Sequence, residues 1–343
     1  MIIEDRIQAF VKLGDIIRKG LQEQQSDFED VIVKAKVYNP WFAPRFTRLA
    51  LQSIADLLTE ENLNAWVSRY PKTYFKESTL RMGVIMAGNI PLVGFHDFLS
   101  VLISGKTFKG KLSSQDEHLL PFITDKLIEI EPAFKDKIIF IPHLLKDFDA
   151  VIATGSNNSA RYFDYYFGKY PHIIRRNRNS VAVLTGDETK EQLEKLADDI
   201  FIYFGLGCRS ISKIFVPKAY DVTKILDAFE HYVFLHEHTK YFNNYEYNKS
   251  IYLINGIPHL DNGFCLLTEN TAYSSPVSVL YYEEYEDINS LERRLLTENK
   301  QIQCIVGGEK LNILHEKIGN SQYPNLDEYA DNVDVIKFLG DLE

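Results

Sequence analysis

The residue of this chain best suited to covalent chemistry is Cys208, which comes directly after the glycine-rich turn 205–207 (GLG). This turn follows a stretch with helical periodicity, and glycines after a helix let the backbone adopt conformations that other residues avoid. A thiol on such a turn is open to an approaching substrate and can act as a nucleophile once it is deprotonated. A single cysteine is, however, more often a small buried side chain, so its neighbours have to decide between the two interpretations.

Two further segments carry polar side chains of the kind that bind substrates and cofactors. Asn89 lies in the turn 88–91 (GNIP), and its amide can donate a hydrogen bond to a developing oxyanion. Lys111, Ser113 and Ser114 end or follow a predicted strand, where an ammonium group and hydroxyls can contact ribose hydroxyls or a phosphate. The plain alternatives are a turn asparagine after a glycine and solvated surface side chains, and residue type alone does not decide between them.

The segment that contains Thr154, Gly155 and Ser156 predicts a phosphate-binding turn. It stands between a predicted strand and a predicted helix, and backbone N–H groups at a helix N-terminus bind phosphate groups. The alternative is an ordinary helix N-cap, because serine and glycine are both favoured there. The sequence has no GxGxxG motif, so a conventional dinucleotide-binding fold is not predicted.

Composition and charge exclude several classes of protein. The 343 residues carry a net charge of -10, which argues against a nucleic-acid surface because such a surface requires clustered Lys and Arg. Three cysteines without a CxxC spacing predict neither a disulfide framework nor a zinc site, and we expect no metal. No apolar run reaches the roughly 18 residues that span a bilayer. Charges also interrupt the N-terminal apolar pattern, so we expect no secretory signal and a cytoplasmic protein.

The elements that must position these residues alternate between strands and helices after a helical start. Roughly the first 80 residues have apolar side chains at helical spacing, with a break at 39–44. A short apolar run at 83–89 then ends in a glycine turn, and further strands are predicted at 107–112, 137–141, 150–154, 181–184, 214–216 and 277–281. Predicted helices are 95–103, 117–129 and 190–204. Strands that alternate with helices indicate a parallel sheet with crossover connections.

These patterns predict an α/β protein with two lobes. We expect a helical N-terminal segment and a cofactor-binding domain in 1–179, and a catalytic domain that carries Cys208 in 180–315. A return of the C-terminal tail, 316–343, to the first domain stays open. A chain of this length is too long for one comfortable core, which also favours two lobes.

Four segments in a fixed order resemble motifs of the aldehyde dehydrogenase superfamily. Residues 205–216 resemble its catalytic segment, in which a glycine stands three residues before the nucleophilic cysteine. Residues 88–91 resemble the segment whose asparagine helps to hold the oxyanion. Residues 105–114 resemble the strand whose lysine contacts the adenosine ribose of the cofactor, and 153–156 the turn beside the pyrophosphate. A weaker match at 275–277 follows, and the common order favours the nucleophile over the packing interpretation of the cysteine.

Within that superfamily the chain most resembles the long-chain acyl-CoA reductases of the LuxC type, from about residue 83 to residue 277. The resemblance implies an aldehyde-dehydrogenase-like fold and reduction of a fatty acyl thioester, such as an acyl-CoA, through an acyl intermediate on Cys208. It assigns the oxyanion to Asn89. It assigns cofactor binding to Lys111, Ser113, Ser114, Thr154, Gly155 and Ser156. It also implies a homo-oligomer and leaves room for a partner enzyme that transfers the acyl group.

Departures from the superfamily pattern shape the expected chemistry. Arg175 aligns with the glutamate that activates water in aldehyde-oxidising members, so the acyl-enzyme should be reduced or passed to a thiol instead of hydrolysed. Ser114 stands where NAD-preferring members often have a glutamate that repels a 2′-phosphate, which favours NADPH. Ala272 aligns with a glutamate that holds the nicotinamide ribose, and this leaves the cofactor pose open. Arg175, Arg176 and Arg178 are expected either to meet a phosphorylated ligand or to form a solvated basic loop.

Two other functions stay open. The first is another acylating aldehyde dehydrogenase or an acyl-phosphate reductase of the same fold, with the same nucleophile and a different substrate. The second is an acyl-carrying partner subunit without cofactor turnover, which the alanine at position 272 keeps open. The remaining candidates are expected to be structural: Cys265 and Cys304 as packing residues, and His96 as a buried, hydrogen-bonded histidine.

Overall fold

A computed structural model describes residues 1–342 and divides the chain into two compact units. The first unit consists of Met1–Asn177 together with the residues from Asn325 onward, and the second unit is Arg178–Pro324. The predicted division lies between 179 and 180, and the predicted C-terminal tail starts at 316. The assignment of cofactor binding to the first unit and of catalysis to the second stays a prediction.

Four helices open the first unit. They are α1 (Ile3–Gln22), α2 (Ser26–Tyr38), α3 (Pro44–Leu57) and α4 (Glu60–Val67). Phe10, Leu13 and Ile17 of α1 recur at helical spacing and are all buried, as expected for one apolar face of a helix. Pro44 is tolerated at the start of α3 because the first helical position needs no backbone N–H. The predicted helical N-terminal segment is confirmed.

A parallel sheet of five strands completes the first unit. The strands are β1 (Arg81–Ile85), β2 (Thr107–Lys111), β3 (Ile138–Phe140), β4 (Ala150–Thr154) and β5 (His172–Arg175), in the order β3-β2-β1-β4-β5. The connecting helices are α5 (Phe95–Ile103), α6 (Leu119–Ile130) and α7 (Asn157–Phe167). All neighbouring strands are parallel, so their carboxyl ends lie at one edge of the sheet. The chain changes direction of growth between β1 and β4, which is a topological switch point.

The second unit contains a sheet of seven strands in the order β12-β11-β6-β7-β10-β9-β8. The strands are β6 (Asn179–Val183), β7 (Ile211–Pro217), β8 (Leu260–Asp261), β9 (Leu266–Glu269), β10 (Val279–Tyr285), β11 (Ile302–Gly307) and β12 (Glu316–Lys317). Only the pair β8–β9 is antiparallel among the strands of residues 1–342. The helices are α8 (Lys190–Phe201), α9 (Thr223–Ala228), α10 (Thr239–Ile254) and α11 (Ile288–Thr297). A last helix, α12 (Val335–Gly340), belongs to the first unit.

The central strands of both sheets are apolar on both faces, as parallel sheets covered by helices require. Val84 and Ile152 in the first sheet are completely buried, and so are Val181 and Phe215 in the second. The predicted α/β class with parallel sheets is confirmed. Among the helices of residues 1–342, none is both long enough and apolar enough to cross a membrane.

Some predicted boundaries are wrong. The helix predicted at 190–204 ends at Phe201, and a short 3-10 helix, Ile202–Gly205, follows it. The strand predicted at 277–281 begins two residues later and continues to Tyr285. The strands β5, β8, β9, β11 and β12 were not predicted.

Candidate functional site

Cys208 lies in the second unit, in the connection between α8 and β7. After α8 the backbone passes through Tyr203, Phe204 and Gly205, whose φ angles are 55°, 58° and 73°. This is the left-handed region, which only glycine adopts without strain. The chain therefore bends sharply here, and the side chain of Cys208 is exposed on the loop that follows.

The backbone of this loop is tied to the second sheet through Ser180. The hydroxyl of Ser180 donates to the carbonyl oxygen of Cys208 at 2.9 Å and accepts from the backbone N–H of Cys304 at 3.1 Å. Ser180 is itself completely buried in β6. The loop is therefore anchored through its backbone while its thiol remains exposed.

The next residue, Arg209, is fixed by two partners from the end of the second unit. Its Nε donates to the carbonyl oxygen of Ser321, and its Nη2 lies 3.3 Å from Glu316 Oε1. Ser321 is held in turn by Asp199 of α8, whose carboxylate accepts the backbone N–H groups of Gly319 at 2.6 Å and Ser321 at 2.8 Å. Burial raises the pKa of Asp199 to about 6. The guanidinium of the residue that follows the exposed thiol is thus held in place by the end of the second unit and paired with a carboxylate.

The other two cysteines are poor nucleophiles. Cys265 is 1% exposed, and burial raises the pKa of its thiol far above the usual range. Burial also raises the pKa of Cys304 to about 11, against the opposing effect of Arg209. Because the thiolate is the attacking form, the raised pKa makes both thiols weaker nucleophiles near neutral pH. The predicted packing role of Cys265 is confirmed.

Three of the predicted binding segments meet at one edge of the first sheet. Lys111 is the last residue of β2, Thr154 is the last residue of β4, and Asn89 lies four residues beyond the end of β1. β1 stands between β2 and β4, and the backbone N–H of Met86 donates to the carbonyl oxygen of Lys111 at 3.0 Å. Open α/β sheets bind ligands at this kind of edge, beside a topological switch point.

The lysines around β2 differ in their surroundings. Lys106 is buried, and Lys109 is buried with its Nζ donating to two backbone carbonyls of the β3–β4 connection at 2.8 and 3.0 Å. Lys111 is partly exposed at the carboxyl end of the strand. Ser113 is partly exposed and Ser114 is exposed in the loop that follows. Lys111 is therefore the lysine of this segment that can meet a ligand at the sheet edge.

The turn that carries Asn89 packs closely against the loop after β2. A Cβ atom on Gly88 would lie 2.6 Å from Ser113 Oγ, so only glycine fits there. Leu92, at the end of the turn, has a φ angle of 56°, and its N–H donates to Asp116 Oδ2 at 2.9 Å. Asn89 itself is exposed. Its amide is therefore presented from a turn that has contacts on both sides.

Thr154, Gly155 and Ser156 form the connection between β4 and α7. Ser156 is the N-cap of α7, and its hydroxyl accepts the backbone N–H of Ser159 at 3.2 Å. A Cβ atom on Gly155 would lie 2.8 Å from Ser159 Cβ, so the tight turn into the helix requires glycine. The positive end of the α7 dipole lies at this turn and favours an anionic group.

Arg175, which aligns with the water-activating glutamate, ends β5 and is buried. Its two terminal nitrogens contact both carboxylate oxygens of Asp97 in α5, at 2.5 and 2.8 Å, and Nη1 lies 3.4 Å from Thr154 Oγ1. Such a bidentate pair cannot act as a base. The expected solvated loop is therefore wrong for Arg175, which lies buried in β5, and the expected phosphate contact stays a prediction. Arg176 does lie at the surface, 2.6 Å from Asp164.

The loop after β9 contains Ala272 and is held by β7. Ser212 Oγ donates to the carbonyl oxygen of Tyr273 at 2.7 Å, and Lys213 Nζ donates to that of Thr271 at 2.8 Å. Ala272 lies between these two carbonyls and is exposed. Its methyl group offers no acceptor to a ribose hydroxyl, so this loop lacks the contact that a glutamate would make.

The edge of the first sheet fits the polar groups of a nicotinamide dinucleotide. A pyrophosphate requires N–H donors and a positive helix end, and the β4–α7 turn at 154–156 supplies both. Ribose and phosphate oxygens require donors, which are available in the ammonium group of Lys111 and the hydroxyls of Ser113 and Ser114. No group of three or more His, Cys, Asp or Glu side chains within residues 1–342 is arranged to hold a metal ion.

Three residues that fix this edge were not predicted. Asp97 pairs with Arg175, Asp116 holds Leu92, and Asn39 Nδ2 lies 3.4 Å from the carbonyl oxygen of Gly88. Asp97 stands in the first turn of a helix and Asp116 just before one, where acidic residues are commonly explained by the helix dipole. The sequence therefore did show these two aspartates at helix starts, but that position suggested only an interaction with the helix dipole.

One histidine near this edge is hydrogen-bonded as predicted. His96 is half-buried, and its Nε2 lies 2.9 Å from the carbonyl oxygen of Leu326. Burial lowers its pKa. It is a structural residue of the first unit.

The fold is similar to that of solved aldehyde dehydrogenases. Aldehyde dehydrogenase 21 from Physcomitrella patens, in complex with the reaction product succinate, matches with a TM-score of 0.72 and 12% identity over 100% of this chain and 84% of its own. Indole-3-acetaldehyde dehydrogenase in complex with NAD+ matches with a TM-score of 0.66 and 10% identity, over 90% of this chain and 72% of its own. A mutant aldehyde dehydrogenase C from Pseudomonas syringae, in complex with NAD+ and octanal, matches with a TM-score of 0.62 and 12% identity, over 90% of this chain and 72% of its own. The predicted aldehyde-dehydrogenase-like fold is confirmed.

Sequence comparison identifies the family. No curated protein sequence matches this chain. The family model described as acyl-CoA reductase (LuxC) matches residues 45–230, which is more than half of the chain and includes both the Asn89 turn and the Cys208 loop. The chain therefore belongs to the LuxC family of acyl-CoA reductases.

Proposed function

We propose that this chain reduces a fatty acyl thioester, such as an acyl-CoA, to the aldehyde, with Cys208 as the nucleophile and NADPH as the reductant. The observation that carries the proposal is the exposed thiol on a strained turn before β7, in a member of an acyl-CoA reductase family. Within residues 1–342 it is the one cysteine that is exposed. The other two are desolvated and lie outside this loop.

In the first half-reaction the Cys208 thiolate attacks the carbonyl carbon of the thioester, and a C–S bond forms while the carbonyl electrons move to oxygen. The Asn89 amide and a backbone N–H donate to this oxyanion, and one such donor contributes roughly 3 kcal/mol. When the oxyanion collapses, the bond to the carrier sulfur breaks. The carrier leaves as a thiolate and takes up a proton, and the acyl group remains on Cys208.

The second half-reaction releases the aldehyde. When bound, NADPH supplies a hydride to the acyl carbon. Cys208 then takes back the electron pair of its C–S bond, and the carbonyl group of the aldehyde forms as the Asn89 amide releases the oxygen. For cofactor binding we assign the ribose and phosphate contacts to Lys111, Ser113 and Ser114, and the pyrophosphate contact to the turn 154–156.

The preference for NADPH over NADH is proposed from the loop after β2. Ser114 offers an exposed hydroxyl where a carboxylate would repel a 2′-phosphate. The ammonium group of Lys111 lies at the same edge of the sheet. Both groups donate hydrogen bonds, and a 2′-phosphate is a strong acceptor.

Reduction is the productive exit because the structure offers no base at position 175. The Arg175 guanidinium is buried and bound to both oxygens of Asp97, so neither side chain is available to activate water. Without a general base, hydrolysis of the acyl-enzyme is slow and the intermediate survives until it is reduced or passed to another thiol.

The proposal is tested by intact mass measurement after incubation with octanoyl-CoA or hexadecanoyl-CoA in the absence of cofactor. We expect an adduct equal to one acyl group on the native chain and none on Cys208→Ala. Addition of NADPH should then remove the adduct and release the free aldehyde, with NADH acting more slowly. An adduct that persists in Cys208→Ala contradicts the assignment of the nucleophile. An adduct on the native chain that NADPH leaves unchanged favours an acyl-carrying subunit, and an adduct formed only from acyl phosphate favours the acyl-phosphate reductase.

A further inference from the structure

The turn that presents Asn89 is fastened to the first unit by the carboxylate of Asp116. We infer that Asp116 is a positioning residue for acyl transfer, which holds the turn 88–92 so that the Asn89 amide is directed at the oxyanion. The inference rests on the proposed function, because it requires that Asn89 acts on an acyl group carried by Cys208. Asp116 acts through Asn89 and does not itself touch the substrate.

The first support is the backbone of Leu92. Its φ angle of 56° lies in a region that side chains other than glycine seldom adopt, and its N–H donates to Asp116 Oδ2 at 2.9 Å. Leu92 is 5% exposed, so water cannot easily replace the lost acceptor. A residue in an unfavourable backbone conformation persists only where surrounding contacts fix it. Asp116 supplies the hydrogen bond that fixes this one.

The second support is the position of Asp116 itself. The side chain is 8% exposed, its Oδ1 is buried, and this oxygen makes no hydrogen bond within residues 1–342. Burial raises the pKa of this carboxyl group to about 6, and the backbone N–H groups of Leu92 and of Leu119, the first residue of α6, oppose that rise. The Asp116 side chain therefore connects the turn 88–92 with the start of α6. Its Oδ2 is the oxygen that accepts the N–H of Leu92.

The third support is that the contacts of Asn39 beside the beginning of the turn are longer than the contact of Asp116 with its end. Asn39 Nδ2 lies 3.4 Å from the carbonyl oxygen of Gly88 and 3.3 Å from that of Gln115. These contacts hold the beginning of the turn beside the loop after β2, whereas Asp116 holds its end. Loss of the Asp116 contact would leave the buried N–H of Leu92, three residues from Asn89, without its acceptor. The carbonyl oxygen of Leu92 would still accept the N–H of Phe95 at 2.9 Å, so the end of the turn would be loosened while its beginning stays in place.

The test compares Asp116→Ala with Asp116→Asn in the full chain. The alanine removes the acceptor of the Leu92 N–H, and the asparagine keeps an oxygen at the same reach. With octanoyl-CoA or hexadecanoyl-CoA as the probe, whichever acylates the native chain faster, we expect acylation of Cys208 to slow about tenfold or more in Asp116→Ala, since one oxyanion donor is worth about a hundredfold. Asp116→Asn should stay within about threefold of the native rate.

A double-mutant cycle separates positioning from general loss of structure. In an Asn89→Ala background, Asp116→Ala should slow acylation by less than about twofold, because the donor that it positions is already absent. The half-saturating acyl-CoA concentration should change little, since the donor acts on the transition state. Full additivity of the two substitutions would overturn the inference.

Asp149→Ala is the matched control. Asp149 Oδ2 accepts the backbone N–H of Arg81 at 2.7 Å, so it holds the amino end of β1 as Asp116 holds the turn beyond its carboxyl end. We expect native acylation in this variant. If Asp116→Ala does not fold, Asp116→Ser takes its place, since its hydroxyl is too short to reach Leu92.

The outcomes distinguish the two hypotheses. A native chain that no acyl-CoA acylates overturns the proposed function and this inference with it. A native chain whose acylation depends on Cys208 and Asn89, but proceeds at the native rate in Asp116→Ala, overturns the inference alone. Equal losses in Asp116→Asn and Asp116→Ala also overturn it, because the asparagine keeps the acceptor.

Discussion

Removal of one partner of the buried Arg175–Asp97 pair should destabilise the first unit far more than removal of both. The two side chains are 8% and 6% exposed and are joined by contacts of 2.5 and 2.8 Å. Asp97→Leu leaves a buried guanidinium without its carboxylate, and Arg175→Met leaves a buried carboxylate without its cation. Thr154 Oγ1, 3.4 Å from Arg175, is too weak a partner to compensate.

The expected magnitudes follow from the cost of an unpaired charge. Removal of one partner of a buried ion pair costs about 3–5 kcal/mol, whereas replacement of both by apolar residues of similar volume is about neutral. We therefore expect each single variant to lose about 3–5 kcal/mol of unfolding free energy. The double variant, Asp97→Leu with Arg175→Met, should lie within about 1 kcal/mol of the native chain.

The two tryptophans make the first unit separately observable. Trp41 and Trp66 are the only tryptophans of the chain, and both belong to the first unit. Trp66 is buried, and its Nε1 donates to the hydroxyl of Tyr329 at 2.7 Å. Tryptophan fluorescence during urea unfolding therefore reports the unit that contains the ion pair, while circular dichroism follows the whole chain.

Two results would refute this reasoning. One is a double variant no more stable than the weaker single variant, and the other is a single variant within about 1 kcal/mol of the native chain. The control is Arg176→Met, which breaks the exposed pair with Asp164 and should cost less than about 1 kcal/mol.

Three further predictions concern the thiols, the buried acid of α8 and the phosphate turn. Iodoacetamide should modify Cys208 in the native chain long before Cys265 or Cys304, as peptide masses will show; equal labelling of all three would contradict the assigned burial. Burial raises the pKa of Asp199 from 3.8 to about 6. Ionisation of Asp199 should therefore lower the free energy of unfolding by roughly 3 kcal/mol as the pH rises from about 4 to 6. Asp199→Asn should remove that part of the pH dependence, and an unchanged slope of unfolding free energy against pH would disprove it. Gly155→Ala puts a Cβ atom 2.8 Å from a side-chain carbon of α7, so NADPH should bind at least about tenfold more weakly in a fluorescence titration. Acylation by acyl-CoA without cofactor should be unaffected. Loss of NADPH binding together with loss of acylation would indicate misfolding.

The parts of the fold that could be predicted are those with strong local signals. The helix Phe95–Ile103 and the strand Ala150–Thr154 have the predicted bounds, because each is an apolar run that begins or ends at a glycine. The strand His172–Arg175 has only two apolar residues between a histidine and an arginine, and β11 contains Gln303. These strands form because neighbouring strands supply their hydrogen bonds, which is a long-range effect.

The site follows the same division. The residue types and spacing of the segments around Asn89, Lys111 and Thr154 marked them as candidates for ligand binding, and the parallel sheet brings those segments to one edge. The side chains that fix them could not be predicted in the same way. Asp97 is 78 residues from Arg175, and Asp116 is 24 residues from Leu92, so no local pattern marks either contact.

A single substitution at position 175 should not create a base there, because of the residues that surround this position. A glutamate at this position would face Asp97 in a buried site, where two carboxylates cannot both be ionised and the pKa of one must rise. A carboxyl group that keeps its proton cannot activate water. The acyl group on Cys208 would therefore persist in Arg175→Glu, and its lifetime should shorten only when Asp97 is also replaced by a neutral residue. If the proposed function holds, the time for which the acyl group stays on Cys208 should therefore depend on both members of the Arg175–Asp97 pair.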